Sequence, residues 1–155
     1  MWRVVACAVA LPAAGWSAAA PIRETDPLLV GTRWAGTLTQ KGTFAGGVAG
    51  PPEFRTVLTV TKRSGAEFEA DLRERTDGLD ITYVVKGEVV RAADGKGWAV
   101  TFRSVDAKDI SGTLPILGVP YTGAVTGKTL KGTWKYRTPD TATAIEGEFA
   151  LELTK

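Results

Sequence analysis

The chain contains no His and no Asn, and its single Cys is Cys7. Without imidazole there is no Ser-His-Asp triad and no Cys-His pair, and a His or Cys metal centre has no ligand set. Beyond the N-terminus no apolar run approaches the ~20 residues that a membrane-spanning helix needs. No cofactor-binding motif is present either. Carboxylates, Lys, Arg and Tyr are what remain for chemistry.

Residues 1–19 read as a signal peptide. Arg3 supplies the charged start, Val4 to Gly15 the apolar stretch, and Ser17 and Ala19 the small residues before a cut after Ala19. The protein is therefore expected to be exported, to the periplasm, the cell envelope or the exterior. Val4-Val5-Ala6-Cys7 superficially fits a lipoprotein box, but no hydrophobic region precedes Cys7, so cleavage is the preferred reading. Loss of Arg3 removes one of 19 basic residues against 17 acidic ones and takes the formal net charge from +2 to +1. A near-neutral surface argues against nucleic acid as partner. Cys7 leaves too, so about 135 residues must fold without a disulfide, by burial of apolar surface.

From Thr32 onward the pattern has a period of two. In Glu67-Phe68-Glu69-Ala70-Asp71-Leu72-Arg73 apolar and charged residues alternate without exception, giving one buried and one wet face. Turn residues divide the chain into eight strands near 32–40, 54–62, 67–75, 80–90, 98–105, 119–125, 129–137 and 144–154. An extension, 20–31, precedes this domain of 32–155. Eight strands with one apolar face each predict an all-β, eight-stranded antiparallel up-and-down barrel, which has no free edges; a two-sheet sandwich is the alternative.

Five strands repeat an inward Gly between apolar residues two positions away: Gly36, Gly87, Gly123, Gly132 and Gly147. Glycine weakens a strand, so its recurrence needs a reason. Tight coiling inside a small barrel supplies one, because a missing side chain admits a neighbouring ring, or a ligand.

Connections alternate in length. Arg63–Ala66, Ala93–Gly97 and Thr126–Lys128 are tight turns at one end. Lys41–Glu53, Thr76–Leu79, Asp106–Gly118 and Thr138–Thr143 gather at the other, which is the expected mouth. Lys41–Glu53 reads as a flap or as an ordered cap, with Phe44 and Val48 as its apolar contacts. The second long loop carries Leu114, Ile116 and Leu117, a possible docking surface for a protein partner. Gly127-Lys128-Thr129 is read as a hairpin turn and not a phosphate loop, since Thr122 stands where the motif requires Gly and no helix follows.

An exported chain with Trp34 on the first strand, eight meander strands and a long first loop resembles the calycin superfamily of lipocalins, fatty-acid-binding proteins and avidins. Gly31-Thr32-Arg33-Trp34 has one residue more than the lipocalin Gly-x-Trp, and Gly132-Thr133-Trp134 matches the avidin Gly-x-Trp but on the seventh strand. The resemblance implies an interior site for a small apolar or aromatic molecule. Trp34, Phe44, Tyr83, Trp98, Phe102, Tyr121, Trp134 and Phe149 are the candidate ligand-binding residues of lumen and mouth. No catalytic residue, metal site or cofactor is assigned. A reaction inside the barrel would need an inward ionisable group, and only Glu74 and Gln40, both at strand ends, approach that description.

Overall fold

The computed structural model describes residues 25–154. The expected signal peptide and the first part of the extension lie outside the described residues. Nine strands follow: β1 (Arg33–Thr39), β2 (Lys41–Thr43), β3 (Glu53–Ser64), β4 (Glu67–Thr76), β5 (Leu79–Arg91), β6 (Trp98–Ser111), β7 (Pro120–Thr126), β8 (Thr129–Arg137) and β9 (Ala144–Leu153). Each long strand pairs antiparallel with the next. β1 closes the sheet by pairing with β9, from Trp34 opposite Leu153 to Leu38 opposite Phe149. One sheet closed on itself is the eight-stranded up-and-down barrel, and the sandwich is excluded.

The strands form where alternation lets them bury one face. On β4, Phe68, Ala70, Leu72 and Glu74 are buried while Glu67, Arg73 and Arg75 are exposed. The interior is a single apolar cluster fed by every long strand. On the outside, Lys62, Lys86, Lys108 and Lys135 pair with Glu69, Asp71 and Glu146 in exposed bridges, each worth at most about 1 kcal/mol. Burial, not charge, holds the barrel.

Two elements depart from the sequence reading. β2 is a ninth strand inside the first long loop, pairing Lys41 with Glu146 and Thr43 with Ala144. It continues the register of β1 along β9, but all three of its residues are exposed, so no apolar alternation announces it. β6 runs six residues beyond the expected end at 105. Its register with β5 shifts between Val85–Ser104 and Val84–Asp106. This bulge turns both Val105 and Asp106 outward before Ala107 faces in again opposite Tyr83, which breaks the period of two that marks a strand.

The glycines admit neighbours, not empty space. A Cβ on Gly132 would meet the Thr122 carbonyl and Cζ of Phe149, and one on Gly123 would lie 2.9 Å from that same Cζ. Gly147 lies under the Trp134 indole, which thereby reaches the Thr39 carbonyl and donates to it at 3.1 Å.

The tight-turn end is sealed. Gly127 takes a φ of 59° in the β7–β8 turn, as a hairpin requires. The segment before β1 folds across this end. Arg63 holds Asp26 at 2.6 Å, Asp26 in turn accepts from the Leu28 amide at 2.9 Å, and the Leu28 side chain is completely buried. Part of the extension therefore belongs to the core.

Candidate functional site

The middle of the barrel is full. Phe102 stacks on Tyr121 with centroids 4.6 Å apart and planes 7° from parallel. Phe68 and Phe149 meet Phe102 at 6.1 and 5.9 Å, and Trp134 meets Tyr121 at 6.3 Å. Of the eight residues expected to bind ligand, four (Phe102, Tyr121, Trp134 and Phe149) form this packed layer. Trp34 is wholly buried near the sealed end. Trp98 also lies there, half-buried, with the Arg91 guanidinium 4.8 Å above its ring. Of the eight, Phe44 and Tyr83 line the space at the mouth.

That space is a cavity of about 530 Å³ at the mouth, within the size range of small-molecule sites. Phe44, Pro51 and Phe54 wall one side; Leu79, Ile81 and Tyr83 another; Leu114, Pro115 and Ile116 close over it. Its polar lining includes Gln40, Glu74 and Asp77.

Both long loops that shape it are ordered by hydrogen bonds. In the first, the Phe44 amide donates to the Val48 carbonyl at 2.8 Å, and the Ala45 amide to Thr143 Oγ1 at 3.1 Å. Of its two expected apolar contacts, Phe44 packs against the core and Val48 is exposed. In the second, Ser104 is the anchor: its Oγ accepts from the Val119 amide at 3.1 Å and donates to the Ile116 carbonyl at 3.3 Å. The Ile116 amide donates to Tyr83 Oη at 3.4 Å, which turns Ile116 inward. Leu117 stays outside, 45% exposed, and Leu114, at the cavity rim, is 85% exposed, so the expected docking loop presents two of its three residues.

Glu74 is the chemical centre of the cavity. It is the last buried position of β4, between Thr56 of β3 and Ile81 of β5, and is 8% exposed. Tyr121 donates to its Oε1 across 3.5 Å, and among the described residues its Oε2 accepts no hydrogen bond. Arg73 and Arg75, its neighbours on the strand, point outward and pair with Asp80 at 2.6 and 3.2 Å. Burial pushes the Glu74 carboxyl up to about 7, with the Tyr121 hydrogen bond only partly opposing this. Burial also raises the Tyr83 hydroxyl to about 12, with the charge of Glu74 adding to the shift.

Such a carboxyl titrates where cells operate, so it can donate a hydrogen bond, accept one or carry a charge within a mostly apolar wall. The signal for it in the sequence is the alternation Phe68, Ala70, Leu72, Glu74, which carries an acid onto the inner face. Phe54, Pro115 and Ile81 join the wall without any comparable signal of a site. Among the described residues no three acidic groups converge as a metal site would require, and no helix is long and apolar enough to cross a membrane. No protein-family model, curated protein or solved structure matches the chain.

Proposed function

We propose that this protein is an exported, calycin-like barrel that binds a small, largely apolar molecule at the mouth of the barrel. The observation that carries this reading is the cavity of about 530 Å³ whose apolar walls surround one buried carboxyl. Apolar surface supplies affinity by exclusion of water, and Glu74 and Tyr83 orient the ligand's polar end. The ligand occupies the mouth and not the whole lumen, because the stacked aromatic layer fills the middle. Incubation with a total lipid and small-molecule extract, followed by native mass spectrometry, is expected to give a bound adduct. Leu79→Trp, which fills the cavity from a half-buried wall position, is expected to abolish it while circular dichroism stays that of the barrel. Absence of any adduct on the unaltered protein rejects the reading.

A second reading, a non-catalytic module that docks a protein or cell-envelope partner through the 106–118 loop, is favoured by the exposure of Leu114 and Leu117. Leu117→Ser should then abolish partner capture without disturbing the cavity, since Leu117, unlike Leu114 and Ile116, is not part of its wall.

A further inference from the structure

We infer that the mouth cavity selects a hydrophobic amine, a cationic amphiphile whose ammonium group is held by Glu74, and discriminates against fatty-acid-like anions. The inference rests on the binding role proposed above and names the class of ligand. Its basis is the charge of the cavity wall. The ionisable groups lining it are Glu74, Asp77 and Tyr83, and no Lys or Arg is among the lining residues.

A carboxylate head would enter beside two acids with no cation to receive it, a like-charge arrangement in a poorly solvated site. An ammonium head meets the opposite situation. Glu74 is more than nine-tenths buried, and its Oε2 has no hydrogen-bonding partner among the described residues. The groups that face it are Thr56 from β3, Ile81 and Tyr83 from β5 and Tyr121 from β7, none of them a cation, while Arg73 and Arg75 are spent on Asp80 outside. An ammonium ion supplies the missing donors and the missing positive charge together.

Charge selection has a pH signature. Glu74 must ionise to pair with the cation, and its carboxyl stands at about 7 in the empty barrel. An aliphatic amine stays protonated well above that, near the Lys value of ~10.4. Affinity for the amine therefore falls about tenfold from pH 8 to pH 6 as Glu74 takes up a proton.

Octylamine, octanol and octanoate share one chain length and differ in the head, and isothermal titration at pH 8 and pH 6 separates them. At pH 8 the amine is expected to bind at least tenfold more tightly than the alcohol, and octanoate more weakly than either. Glu74→Gln should bring the amine to within about twofold of the alcohol and flatten its pH profile. Octanoate binding as tightly as the amine, or an amine affinity unmoved between the two pH values, overturns the charge selection and leaves the binding site standing. Failure of all three probes to bind overturns the site itself. The pH profile on the unaltered protein decides the matter even if the variant does not fold.

Discussion

Glu74 destabilises the barrel whenever it is ionised and unpaired, and the sign of its effect on stability follows from its titration. Its carboxyl stands at about 7 in the folded chain against an ordinary 4.5. Below 4.5 it is protonated in both states and has no pH-dependent effect. Between the two values the folded state holds a proton that the unfolded state has lost, so stability falls as pH rises, and the loss is complete above 7. The span corresponds to about 3 kcal/mol. Urea denaturation at pH 4 and pH 8 should show this loss in the natural protein relative to Glu74→Gln, whose neutral amide does not titrate. Equal pH dependence in the two proteins would refute the burial argument. The comparison is needed because half-buried carboxylates such as Glu69 and Asp80 are held below their ordinary values by Lys62 and Arg73, and act in the opposite direction as pH falls.

Elements, not single residues, decide whether the mouth is shaped. The long strand β6 would be an ordinary ladder but for its bulge, which turns Val105 and Asp106 outward and returns Ala107 to the inner face opposite Tyr83. Just before the bulge, Ser104 faces inward and ties the returning chain through Ile116 and Val119. Ser104→Ala leaves the buried Val119 amide without its hydroxyl acceptor, at a cost of about 1–3 kcal/mol. Hydrogen exchange should show faster exchange at Ile116 and Val119, with strands β3 and β4 unaffected. Unchanged protection at both amides would show that Ser104 is no anchor. The alternation in 98–104 makes the first half of β6 readable, and the bulge hides the rest. β2 was hidden for a different reason, since Lys41-Gly42-Thr43 is exposed throughout and is a strand only because β9 offers it hydrogen-bonding partners.

For the molecule as a whole, closure has two parts: the β1–β9 seam, and the plug at the sealed end. The plug depends on Leu28, fully buried and fixed by the Asp26–Arg63 pair, in a stretch with no strand pattern at all. Leu28→Ala should lower unfolding free energy by about 2–5 kcal/mol, the range for a large buried side chain replaced by a small one. Denaturant midpoints measure this directly, and a change under ~0.5 kcal/mol would show the segment to be peripheral.

The eight long strands, their inward faces, the two kinds of end and the inward position of Glu74 follow from the order of residues alone, because a period of two is a local property and each strand must bury whichever face is apolar. The absence of His, and of any Cys after residue 7, likewise restricts chemistry before any fold is known. Which aromatic rings fill the lumen and which line a cavity depends on distances between strands far apart in the chain. Gly132 and Gly123 look the same in sequence whether they make room for a ligand or for Phe149, and only the closed sheet puts that ring over them. The ionisation of Glu74 is of the same kind: its position was legible, but its displacement to about 7 depends on the closed barrel burying it, with the Tyr121 hydrogen bond from the far wall partly opposing the shift and Arg73 and Arg75 turned outward to Asp80. Alternation assigns each side chain to a face; closure decides what it meets there.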